Sequence, residues 1–242
     1  MKIEDLTLDE VRRFGLRIAQ PVNGYRYSLD AFLLAQFCAE VKPEGRIIDL
    51  GAGCGIIALV LARVNPAALV VAVENNPEMA ALAERNIQHN DLAGRVSVHA
   101  EDVINLRKNY SHSTFDLVVS NPPFRTAASG KVSPRAGRES ARHESTAGLA
   151  DFMTAAKYLV KPAGRICFIQ LPSRLPEFMA LAAQMKLSVL RVRMVHSKPE
   201  SPATMFMAEL AKGRRCAPFV EPPLFVRDMN GEYPDEVWRS SG

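Results

Sequence analysis

From about residue 46 onward, short apolar runs rich in β-branched residues alternate with longer stretches whose apolar positions recur every three or four residues. The short runs predict strands at Arg46 to Leu50, Leu69 to Glu74, Arg95 to His99, Phe115 to Ser120 and Arg165 to Leu171. The longer stretches predict helices at Ile56 to Val64, at Pro77 to Asn90 with proline in its first turn, at Ala150 to Val160 and at Ser173 to Met185. Lys161 to Gly164 reads as a turn before the fifth strand. SVLRVRMVH and TMFMAELAK then read as two strands, and their connection, SKPESPA, is short enough for antiparallel pairing. Such alternation predicts an α/β fold, a mostly parallel sheet with helices on both faces and an antiparallel hairpin at its end. Residues 1–45 read as an extension packed on a main domain of residues 46–242, with Ser28 or Asp30 placed to cap a helix through DAFLLAQFCAEV.

Composition narrows the class without naming a chemistry. With 48% hydrophobic and 23% charged residues among 242, the chain can bury a core, and no apolar run reaches bilayer length, so no membrane partner is expected. The start, MKIEDLTLDEVRR, is polar and acidic where a secretory leader is basic and then apolar, which points to the cytoplasm. Cys38, Cys54, Cys167 and Cys216 are scattered with no CxxC pair, so no metal site is expected and the thiols read as small core residues or solvent-protected groups; the methionines read as core filler. A net charge of +4 favours a polyanionic partner only if the positive residues cluster.

DLGAGCG, Asp49 to Gly55, sits between the first strand and the first helix, where glycines let the backbone turn sharply and approach a ligand. The spacing is GxGxG, whereas the dinucleotide fingerprint is GxGxxG; both expect an acid such as Glu74 at the end of the second strand to meet ribose hydroxyls. Asp102, after the third strand, adds a second acid at the same edge. With NPPF following in order, residues 46 to 171 resemble the class I S-adenosylmethionine-dependent methyltransferases, whose Rossmann-like seven-stranded sheet ends in a reversed hairpin. The resemblance implies S-adenosylmethionine as cofactor. It implies that the backbone of Gly51, Gly53 and Gly55 lies against the methionine portion, whose carboxylate meets helix-end amides. By the same resemblance Asp49 holds the amino-acid end, Glu74 the ribose and Asp102 the adenine amino group, with Asn75 and Val103 flanking the adenine and Asn121 also reaching the cofactor. Singly, each acid has an ordinary reading as a turn or capping residue.

Asn121-Pro122-Pro123-Phe124 suits an acceptor whose NH2 lone pair is delocalised into a ring or amide. The Asn121 side-chain oxygen and the Pro122 carbonyl can accept from the NH2 and stabilise the charge that develops on nitrogen. Prolines add rigidity and donate nothing, and Phe124 offers a face for an extruded base. The plain alternative is an Asn-Pro turn ending a strand.

NPPF also serves enzymes that methylate protein glutamine or guanine N2. QPVNGYRYSLDAFLLA, with Tyr25, Ser28 and Asp30, is similar to the start of the bacterial tRNA adenine-N6 methyltransferases that act beside the anticodon of a valine tRNA, where this region covers the cofactor. ARHE, the KPxGR turn, PPLFV and GEY extend the likeness over nearly the whole chain, although Ala163 replaces a glycine frequent in that turn and leaves Gly164 to adopt the positive φ. Arg125, Lys131, Arg135, Arg138 and Arg142, opposed by Glu139 alone, would suit the backbone of a tRNA or other structured RNA presenting an adenine; a solvated, ion-paired loop is the bland alternative. His143 beside Glu144 reads as structural, and Trp238 lies too near the end to interpret. A release-factor glutamine methyltransferase, a guanine-N2 enzyme, a small-molecule enzyme and a non-catalytic cofactor-binding RNA module remain the alternatives, and the oligomeric state stays open.

Overall fold

The computed structural model describes residues 6–22, 29–39, 45–123, 147–214 and 216–234. Its first element is a hairpin absent from the sequence-based expectation, β1 (Leu6–Val11) paired antiparallel with β2 (Leu16–Pro21). A short 3₁₀ turn, Arg12–Phe14, joins them, and Gly15 closes it in the left-handed region at φ 58°. Alternation along β2 sends Leu16 and Ile18 inward and Arg17 outward. Next comes α1 (Leu29–Ala39), apolar nearly all round because most of it is buried. Asp30 lies inside its first turn and so is not its cap, while Ser28 lies outside the described residues.

Seven strands form the main sheet: β3 (Arg46–Leu50), β4 (Leu69–Glu74), β5 (Val96–Ala100), β6 (Phe115–Ser120), β7 (Val160–Gln170), β8 (Leu187–His196) and β9 (Ala203–Lys212). The two-residue strands β10 (Phe219–Val220) and β11 (Leu224–Phe225) both add to β8, and the order is β10-β8-β9-β7-β6-β3-β4-β5. Only β9 in this sheet runs against its neighbours. The helices between are α2 (Ile56–Val64), α3 (Pro77–His89), α4 (Leu149–Leu159) and α5 (Leu175–Gln184), the last preceded by a 3₁₀ turn at Pro172–Arg174. α3 starts sharply because Asn76 accepts from the Glu78 and Met79 amides and Pro77 follows it.

Two expectations around β7 change. Lys161 to Gly164 is part of that strand, and the irregularity appears as a register shift against β6 between Phe115 and Leu117. Gly164 does not take a positive φ. Space demands it: a Cβ there would sit 2.7 Å from Val160 Cγ2 and 2.8 Å from the Asp116 carbonyl oxygen.

Strand alternation splits the core between the two faces. Ile47, Val70, Ala72, Leu117, Val119, Cys167 and Ile169 face α1, α2, α3 and the hairpin, while Ile48, Leu50, Val71, Val73, Val118, Ile166 and Phe168 face α4 and α5. Cys38, Cys54 and Cys167 are buried, but Cys216 is exposed and so is not the protected thiol expected. Met153 and Met207 fill core, whereas Met179 and Met229 are exposed.

Candidate active site at the carboxyl edge of the sheet

β3 is the switch point. Its chain leaves toward β4 and β5 on one side, then returns to β6 on the other, so Leu50 pairs with both Val73 and Ser120. The connections at their carboxyl ends must part there and leave a crevice.

The glycine loop fills one wall. Gly51, Gly53 and Gly55 have φ of 77°, 56° and 86°, a region that side-chain-bearing residues rarely adopt. A Cβ on Gly51 would also come 3.2 Å from Phe152 of α4. The loop satisfies its own amides: Gly51 and Ala52 donate to the Val73 carbonyl, Gly55 to the Ala52 carbonyl, and Gly53 to Glu74 Oε2 at 2.8 Å. What it presents to a ligand is therefore a bare, close backbone surface rather than glycine N–H groups.

Two acids beneath the loop are treated differently. Glu74, nearly buried, also accepts from the Asn76 amide through Oε1. Burial raises its pKa, while the Asn76, Gly53 and Asn75 amides hold it back. A carboxylate with one such bond on each oxygen keeps capacity for hydroxyl donors. Asp49 is wholly buried, and neither of its oxygens has a hydrogen-bond partner among the described residues. Its pKa is pushed up to about 8 by burial, with Glu74 adding repulsion; the Ala58 amide of α2 favours the charged form without reaching hydrogen-bond geometry. Such a carboxyl has acceptor capacity for a cation or donor, which fits the ammonium of an amino-acid group.

Asp102 accepts from the Ile104 amide and caps the 3₁₀ turn Val103–Lys108, so one of its oxygens does the structural work that a lone acid does by default. Asn75 is half-buried and Val103 buried.

The other wall is the exit of β6. Ser120 Oγ donates to the Leu50 carbonyl at 2.7 Å, tying that exit to the end of β3. Asn121 follows half-buried, Pro122 is buried and Pro123 is exposed. Gln170, at the end of β7, donates from Nε2 to the Pro122 carbonyl at 3.3 Å. The fold thus brings Asp49, the glycine loop, Glu74 and Asn121-Pro122 to one edge. Tyr25, Ser28, Phe124, Arg125, Lys131, Arg135, Arg138, Arg142, His143, Glu144 and Trp238 lie outside the described residues.

Residues that sequence reasoning did not single out also shape the site. Asn86 of α3 accepts from the Ala19 amide and donates to the Ala19 and Cys54 carbonyls. One turn on, Asn90 does the same for the amide and carbonyl of Arg17. Two side-chain amides thus imitate a neighbouring strand for β2, and Asn86 also fastens it to the glycine loop. Their signal was an asparagine pair four residues apart on the apolar face of α3; that of Gln170 was a lone amide closing ICFIQ. Cys54, buried in the loop, has its thiol pushed up to about 12, chiefly by burial, which removes it as a nucleophile. A cavity of about 340 Å³ lined by residues including Ser197, Lys198 and Arg227 lies past the end of β8, away from these groups.

No helix among the described residues is long and apolar enough to cross a membrane, and no group of three or more metal-ligating side chains occurs among them. The sequence profile of the methyltransferase small domain matches residues 30–169. A protein of Porphyromonas gingivalis named tRNA1(Val) (adenine(37)-N6)-methyltransferase is 30% identical over 223 residues, covering 88% of this chain and 86% of its own length. One of the same name from Pectobacterium carotovorum is 31% identical over 206 residues, covering 84% and 80%. In fold, the chain is similar to an Agrobacterium tumefaciens protein described as a predicted O-methyltransferase, at a TM-score of 0.70 and 23% identity over 86% of this chain and 94% of that one. With a glycine loop and acids at the switch point, a profile covering more than half of its length and such relatives along most of it, the chain belongs to the methyltransferase small domain family of S-adenosylmethionine-dependent methyltransferases.

Proposed function

We propose that this enzyme methylates the N6 amino group of an adenine in a tRNA. The observation that carries the reading is the Asn121-Pro122 segment leaving β6 directly beside the glycine loop, held there by Ser120 and the Leu50 carbonyl. The names of the relatives supply the acceptor, adenine 37 of a valine tRNA, as the first RNA to test. The cytoplasm is the compartment this reading implies, and residues 1–45 act as an extension of a catalytic domain formed by residues 46–242.

S-adenosylmethionine supplies an electrophilic methyl group on a sulfonium. Asp49 meets its ammonium and Glu74 its ribose hydroxyls, the first because its carboxyl has no hydrogen-bond partner among the described residues, the second because its amide contacts leave acceptor capacity. Asp102, Asn75 and Val103 border the adenine, and Tyr25, Ser28 and Asp30 cover the cofactor. Asn121 Oδ1 and the Pro122 carbonyl accept from the acceptor NH2, free its lone pair and stabilise the cation that forms. The proton is shed after the methyl arrives, so no general base is required before attack. Phe124 stacks the extruded base, Pro123 stiffens the segment, and Arg125, Lys131, Arg135, Arg138 and Arg142 meet RNA phosphates.

Labelled cofactor incubated separately with bulk tRNA, release factor and small amines, followed by digestion of the labelled RNA, tests the proposal. N6-methyladenosine is the expected product. Label confined to protein or to guanine overturns the acceptor.

A further inference from the structure

Pro122 has its φ fixed by its own ring and its ψ confined by Pro123 to an extended range about 40° wide, and within that range the aim of the carbonyl is still open. Neither Pro122 nor Pro123 has an N–H, so the segment cannot tie itself down with its own donors. The hold on that carbonyl comes from across the sheet, where Gln170, fully buried at the last position of β7, donates to it. The orientation of the Gln170 amide follows from this contact, since the reversed amide would set oxygen against oxygen. Its Oε1 is then buried without a partner among the described residues. Packing alone would favour methionine, which has similar length and leaves no orphaned acceptor.

We propose that Gln170 is a positioning residue for methyl transfer: it sets the direction of the Pro122 carbonyl so that the remaining lone pair faces the acceptor NH2. A donor on the first lone pair draws electron density from the oxygen, so the benefit is alignment and not added basicity. The inference rests on the NH2-gripping role assigned to Pro122 and extends it to a residue that never touches the acceptor.

The test compares Gln170→Met and Gln170→Glu with the wild type under saturating cofactor, on whichever NH2 acceptor the wild type labels. Gln170→Met removes the donor at nearly constant volume; kcat is expected to fall about tenfold, with KM and cofactor Kd within about twofold, as loss of an alignment used only in the transition state requires. Gln170→Glu donates only while protonated, and its cross-strand neighbour is the apolar Phe206, which favours that form. Its kcat should approach wild type in acid and decline as the carboxyl ionises, a limb absent from the wild-type profile. Wild-type kcat in Gln170→Met, or a Gln170→Glu profile parallel to wild type, overturns the inference, as does a loss of kcat matched by an equal loss of cofactor affinity. If Gln170→Met does not fold, the Gln170→Glu profile decides. A wild type that labels an acceptor other than tRNA adenine overturns the acceptor assignment alone, and the comparison is then read on that acceptor.

Discussion

The two walls of the crevice solve opposite electrostatic problems. On the β3 and β4 wall, Asp49 and Glu74 are buried acids, one without hydrogen-bond partners among the described residues and one steadied by loop amides. On the β6 and β7 wall, Ser120, Pro122 and Gln170 form neutral hydrogen bonds. In the proposed reaction the first is the binding wall, and it can use charge because its ligand brings its own cation. An acceptor wall faces a neutral NH2 that becomes positive only during reaction, so well-aimed neutral acceptors stabilise the transition state without trapping a different cation in the ground state.

The strongest way to break this comparison is Asn121→Ala. Removing one charge-assisted acceptor of about 1.5–3 kcal/mol should lower kcat between about tenfold and a hundredfold. Cofactor affinity, read by calorimetry, should stay within a few-fold, and near-normal turnover would remove the proposed role. Asn86→Ala tests the support behind the opposite wall: it orphans the Ala19 amide and the Ala19 and Cys54 carbonyls. About 2 kcal/mol of stability should be lost in a denaturant titration.

Asp49→Asn sharpens the contrast, since it keeps the shape and deletes the charge. Cofactor affinity should fall by about tenfold while the turnover of saturated enzyme changes little. A pH dependence tests the same contact without a substitution. With Asp49 pushed up to about 8, the free protein holds its proton at neutral pH, and pairing with a cation expels it. Affinity should rise by at least about tenfold from about pH 6 toward about pH 8 in the wild type and lose that slope in Asp49→Asn. The same raised pKa works the other way on folding. The folded state binds more protons than the unfolded chain between the usual carboxylate range and about 8, so this group's contribution to ligand-free stability declines as pH rises through that window. A flat profile in both measurements would mean that Asp49 is not the charged contact.

The strands β3, β4 and β6 and the helix α2 were legible to the residue because their apolar runs are bounded by glycine, proline or charge. The hairpin β1–β2 was missed although Leu16, Ile18 and Arg17 alternate; the segment is short, and its neighbouring strand is imitated by Asn86 and Asn90 from a helix distant in sequence. The turn expected at Lys161 to Gly164 became a bulge within a strand, because Val160 and Arg165 on either side of it pair with Phe115 and Leu117 of β6.

Sequence alone determined the order of elements, the glycine loop and the succession of Asp49, Glu74, Asp102 and Asn121, since periodicity and local backbone preference are carried by neighbouring residues. Tertiary structure decided which acid would lack a hydrogen-bond partner among the described residues and which amide would donate to the Pro122 carbonyl. Those outcomes depend on desolvation and on donors that only folding brings within reach, Gln170 to Pro122 across 48 positions and Asn86 to Ala19 across 67.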